Sequence, residues 1–180
     1  MQFASALVEY LAAGVAALLW LSPLVQKILG LNVPLNEASV VLVLPMAYVL
    51  GIYIDSTSSF LIRVLRLRKF HLPERVRRIL VKILGSPHSG TYDRTVPILS
   101  KSPELLAQTM LTYVGRDRIA RCMSLNSVLG IFTACYIRPG DLTLAGILVV
   151  TLLWSLATWH RLERLSSKFK DQALKTLRGE

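Results

Sequence analysis

The stretch Leu142-Thr143-Leu144-Ala145-Gly146-Ile147-Leu148-Val149-Val150-Thr151-Leu152-Leu153-Trp154-Ser155-Leu156-Ala157-Thr158-Trp159 runs for eighteen residues without a charge. As a helix it rises about 27 Å, close to the roughly 30 Å hydrocarbon core of a bilayer. Trp154 and Trp159 suit an interfacial end. A core helix of a soluble bundle would keep a charged stripe toward water, and this one has none.

Three more apolar runs lie upstream. Residues 3–25 are interrupted by Glu9 and by Pro23 near the end. Residues 38–54 contain Pro45, a possible kink, and the helix is expected to continue past Asp55 through Phe60, Leu61 and Ile62. Residues 122–137 form the shortest and weakest run, with Asn126 near its start. The N-terminus lacks the positive region of a cleavable signal peptide, so the first run is read as a retained helix.

Composition agrees. Apolar residues make up 53% of the 180 and charged residues 18%, with a mean hydropathy of +0.49. That excludes a disordered chain, which lacks the apolar surface to fold. The net charge of +10 does not make this a nucleic-acid-binding tail, because the basic residues sit between long apolar runs. Cys122 and Cys135 are too isolated for a CxxC pair, a zinc site or a disulfide framework.

Basic residues orient the spans. Thirteen fall between the second and third runs and six follow Trp159, whereas Lys27 and Arg138 alone occupy the other two connections. Positive charge stays inside, which places both termini and the long loop in the cytoplasm, with the inner membrane of a bacterium as the expected setting. The expected fold is an all-α membrane protein, a four-span helical bundle with a basic helical cytoplasmic loop and a helical C-terminal tail. Residues 1–62 form a first transmembrane hairpin, 63–121 the loop, 122–159 a second hairpin and 160–180 the tail. The outer connections, residues 26–37 and the turn Arg138-Pro139-Gly140-Asp141, are too short to house a receptor or catalytic domain.

Within the loop, Pro73 and Glu74 open a helix whose stripe is Val76, Ile79, Leu80, Ile83 and Leu84, with Gly85 as its stop. Arg75, Arg77, Arg78 and Lys82 lie off the stripe. They suit either the anionic inner leaflet or a site for an anionic cytosolic ligand. His88, Ser89, Tyr92 and Asp93 occur together, but no nucleophile elbow frames the serine, and the segment reads as a surface loop. Ser102 and Pro103 then cap a helix whose buried side is Leu105, Leu106, Met110, Tyr113 and Val114.

Arg116-Asp117-Arg118-Ile119-Ala120-Arg121 stands at the mouth of the third span, with Arg118 and Arg121 on one face and Asp117 in reach of Arg121. Fourteen arginines against seven lysines tilt the reading toward bidentate recognition of phosphate. Arg75, Arg77, Arg78, Arg116, Arg118 and Arg121 are therefore the candidate ligand-binding set.

Each span also has a small or polar stripe, as helices that associate in lipid require. These are Ser5, Glu9, Ala12, Ala13, Ala16 and Ala17; Tyr48, Gly51, Asp55 and Ser59; Asn126, Ser127, Gly130, Thr133 and Ala134; and Thr151, Ser155 and Thr158. Either they pack the bundle or some of them face a water-filled path between subunits. Glu9, Asp55, Asn126, Thr151 and Ser155 are the candidate pore or intramembrane polar residues. For Glu9 and Asp55 the first reading is an ion pair with Arg63, Arg118 or Arg121, and the second an acidic ring at a cation-conducting mouth.

The tail repeat Leu162, Leu165, Phe169, Ala173 and Leu177 makes self-association plausible. His71, His88 and His160 share no metal spacing, and neither a cofactor motif nor a catalytic signature is present. The expected function is a small homo-oligomeric membrane protein, not an enzyme. It would form or control an ion-permeable path gated by a nucleotide, an oligonucleotide or a lipid headgroup. The alternative is an anchor that recruits a cytosolic protein partner.

Overall fold

A computed structural model describes residues 2–30, 37–67, 98, 101, 104–137 and 142–178. The described residues form four long helices: α1 (Gln2–Leu29), α2 (Glu37–Leu67), α3 (Glu104–Ile137) and α4 (Leu142–Arg178). All four are long and apolar enough to cross a membrane. No strand occurs among the described residues.

The helices are longer than a bilayer needs. They have 28, 31, 34 and 37 residues, or about 42 to 56 Å at 1.5 Å each, against a core of roughly 30 Å. The residues that join the third span to the preceding loop continue in one helix, since α3 passes residue 121 without a break. Nothing there stops it, because Gly115 alone is tolerated and proline is absent. The tail likewise continues the fourth span to Arg178. Pro23 lies inside α1 and Pro45 inside α2, and each helix continues past its proline. A glycine ends α1: Gly30 has φ 65° and donates its N–H to the Gln26 carbonyl at 2.9 Å, a left-handed cap that a side chain would strain.

α3 is the hub. Among the described residues it packs against each of the other three helices, whereas α4 runs at backbone distance along α3 alone. α1 and α2 are antiparallel, with Gly14 against the Ala47 backbone and Gly51 against the Tyr10 backbone. A Cβ on either glycine would overlap the facing carbonyl. The core here is Ala13, Ala17, Ile54 and Cys122, flanked by Trp20, Leu50, Leu125 and Leu129. α3 is parallel to α1, since Arg118 meets Glu9 at one end and Lys27 meets Tyr136 at the other. α4 returns antiparallel along α3, with Ala120 and Trp159 in one cluster and Ile98, Met110 and Ala173 in another.

Candidate functional site

Ionisable side chains inside spans need a partner, and here they find each other in one layer. Glu9 of α1 is buried, and its carboxyl lies against Gly115 of α3, where a Cβ would overlap the Glu9 Oε1. Gly115 thus makes the notch, and Arg118, one turn along the same face, supplies the charge. Arg118 Nη1 donates to Glu9 Oε2 at 2.9 Å, while its Nε lies 3.4 Å from Asp55 Oδ2. The guanidinium also stands 5.1 Å from the centre of the Tyr10 ring. Arg121 Nη2 donates to the other carboxylate oxygen, Asp55 Oδ1, at 2.7 Å. The Cys122 thiol approaches that same oxygen at 3.7 Å.

Asp55 is therefore shared between two arginines, one oxygen each, and two acids balance two bases. This ties α1, α2 and α3 together. The side chains keep between 11% and 26% of their exposure, so desolvation is incomplete and each ion retains some contact with its surroundings. Removing one partner from such a buried set costs about 3 kcal/mol, the lower end for buried pairs, because the remaining ion is left uncompensated.

Depth follows from helix length. Counting from Glu9 to Leu29, Asp55 to Glu37 and Arg118 to Ile137 gives distances of about 30, 27 and 29 Å. The charged layer thus sits one hydrocarbon thickness from the opposite ends of three helices, where a bilayer core would end. Beyond it, α2 runs on to Leu67, and α3 to Glu104 and α4 to Arg178 continue as a packed two-helix extension. Tyr113 packs there on Phe169, with ring centres 5.7 Å apart.

The layer continues toward α4 with loose ends. Asp117 Oδ1, Arg121 Nε and His160 Nδ1 are buried atoms without a hydrogen-bond partner among the described residues. The hydrogen bond of Arg121 goes to Asp55 across the bundle, and Asp117, one turn away on its own helix, does not take it. Geometry explains the choice: the carboxylate on the neighbouring helix receives the guanidinium of Arg118 as well, so one acid organises two cations.

Deeper in the bundle, Asn126 is bonded through both ends of its amide. Its Nδ2 donates to the Ala13 carbonyl at 2.9 Å, and its Oδ1 accepts from Trp20 Nε1 at 3.0 Å. Ser155 shares a hydrogen bond with Ser124 at 2.9 Å, joining α4 to α3. Thr151 stands on the exposed face of α4 and donates to the Ile147 carbonyl of its own helix at 2.9 Å. Arg116 is exposed. Arg75, Arg77 and Arg78 lie outside the described residues, as do His88 and Asp93. Among the described residues no group of three or more His, Cys, Asp or Glu is placed to hold a metal ion.

Of the expected site residues, the structure brings together Glu9, Asp55, Arg118 and Arg121. Sequence reading missed Gly115, Tyr10, Trp20 and Ser124 as their partners. It also missed Gly14 and Ala47, although Ala47 and Gly51 have the small-xxx-small spacing of a close helix crossing. No protein family, no curated protein and no solved structure matches the chain.

Proposed function

We propose that this is a small homo-oligomeric membrane protein that forms or controls an ion-permeable path and responds to an anionic cytosolic ligand at its charged layer. The observation that carries the proposal is the sharing of Asp55 between Arg118 and Arg121 at 3.4 and 2.7 Å. A phosphate-bearing ligand offers the same bidentate geometry as a carboxylate, with more charge. By taking either guanidinium it competes with Asp55, loosens α2 from α3 and favours a second arrangement of the spans. The Arg121 Nε, buried and without a hydrogen-bond partner among the described residues, is a donor in reserve for that exchange. Asn126 is bonded to α1, and Ser124 and Ser155 to each other, so the path in this reading runs between copies, not through one chain.

The test is ion flux from proteoliposomes, with nucleotides and short oligonucleotides on the side of the charged layer. Asp55→Asn should raise flux without ligand, and Arg121→Gln should remove the ligand response while the protein still inserts. A tight membrane for the wild type under every condition, with the protein shown to be folded, would overturn the proposal. The second reading, a membrane anchor for a cytosolic partner, is favoured by the two-helix extension beyond the charged layer. Its small core of Ile98, Met110 and Ala173 makes it a stalk on which a protein can dock. Capture of a partner by the full-length protein, lost on truncation of α4 after Trp159, would support it.

A further inference from the structure

Among the described residues α4 runs at backbone distance along α3 and not along α1, and a cleft of ≈ 670 Å³ opens between α1, α3 and α4, on the far side of the charged layer. We propose that it binds one acyl chain of an anionic phospholipid, with the headgroup held at Lys27. The inference rests on the membrane reading of the helices and is independent of gating.

The wall of the cleft is hydrocarbon in effect. Ala16, Pro23, Ala134 and Leu148 supply apolar surface. Of the polar residues beside them, Asn126 bonds Ala13 and Trp20, Ser127 the Met123 carbonyl and Thr151 the Ile147 carbonyl, and Thr133 adds one hydroxyl to the wall. A polar ligand would find few free partners, whereas an acyl chain needs none.

The length of the cleft suits an acyl chain. The cleft follows α3 from Met123 to Ile137, about 21 Å along the axis. Half of a roughly 30 Å bilayer core is about 15 Å, so one leaflet's chain lies along most of the cleft.

Charge selects the headgroup. Pro23 and Ile137 line one end of the cleft, and Lys27 lies one turn beyond Pro23. Its exposed Nζ donates to the Tyr136 carbonyl at 2.8 Å and stands 4.5 Å from the centre of the Tyr136 ring. These contacts fix the cation at the mouth without neutralising it, since no carboxylate pairs with Lys27 among the described residues. An ammonium has three donors, and the carbonyl takes one.

The experiment is native mass spectrometry of the full-length protein in detergent, offered phosphatidylglycerol or phosphatidylcholine with matched chains. The wild type should retain one phosphatidylglycerol in preference. Lys27→Gln should lower that preference roughly fivefold, the effect of one basic residue at an anionic headgroup, and leave phosphatidylcholine unchanged. Thr151→Trp, which fills the cleft from the exposed face of α4, should reduce retention of both lipids, with helicity by circular dichroism showing that the fold persists. Equal retention of the two lipids by wild type, or an unchanged preference in Lys27→Gln, would overturn the headgroup assignment. Unchanged lipid retention in Thr151→Trp, or lipid displaced by a dimer that this variant abolishes, would overturn the cleft as an acyl site.

Discussion

The two hairpins hold their helices together by opposite means. α1 and α2 meet where side chains are missing: Gly14 and Gly51 bring backbone against backbone, and Ala13, Ala17 and Ala47 are almost wholly buried around them. α3 and α4 meet through side chains, by the Ser124–Ser155 hydroxyl pair, the Trp159 indole on Ala120, and Tyr113 on Phe169. In lipid there is no strong hydrophobic force between spans, so association depends on close van der Waals contact or on buried polar bonds. Contact without side chains leaves no slack, because a backbone carbonyl cannot move aside. The side-chain seam is more forgiving, and it leaves room for the cleft beside it.

The largest effect should come from the tight seam. Gly14→Leu is expected to destabilise by about 3 kcal/mol or more, since the new atoms meet the Ala47 backbone. Gly14→Ala should also destabilise, reversing the roughly 0.5–1 kcal/mol gain that the same change brings in an ordinary helix. Reversible unfolding in mixed micelles measures both, and a stabilised Gly14→Ala protein would break the comparison.

Next is the layer that fastens the first hairpin to α3. Arg118→Ala should cost about 3 kcal/mol by removing one guanidinium from both Glu9 and Asp55. Glu9→Gln combined with Arg118→Gln should recover part of that loss, because no uncompensated charge remains. Additive losses in the double variant would show that the two residues do not act as a pair.

Smaller still, Asn126→Ala should cost about 1–1.5 kcal/mol for its two interhelical bonds. Loss of the Trp20 partner should also shift the tryptophan emission. Ser124→Ala, at the looser seam, is expected near 0.6 kcal/mol, the average for such bonds between spans. A Ser124 loss larger than that of Arg118 would invert the ranking of the two regions. Thr151→Ala should stay within about 0.5 kcal/mol, because its hydroxyl bonds only its own helix.

Much of the site was legible in part. Glu9 and Asp55 stand out as acids within apolar runs, and Arg118 and Arg121 as bases at the mouth of the third one. That they meet is a consequence of depth, which can be counted along each span. Which base takes which acid is not, since Asp117 lies one turn from Arg121 and yet Asp55 receives its hydrogen bond. Gly115 was hidden for a related reason. A glycine in a helix carries no signal of what fills its space, and only the packed neighbour shows that it is the Glu9 carboxyl.

By itself the sequence determined the class of the molecule. Four runs of apolar residues of bilayer length make four helices, because a backbone in hydrocarbon has to satisfy its own hydrogen bonds. It also determined that the few polar residues inside them would need partners. Only the tertiary structure decided the partners, the role of α3 as hub, and the separation of α4 from α1 that opens the cleft. Those depend on rotation and crossing of helices about their axes, which are set by contacts between residues more than a hundred positions apart, such as Trp20 and Asn126. Periodicity within one helix defines a face, and packing selects what that face meets.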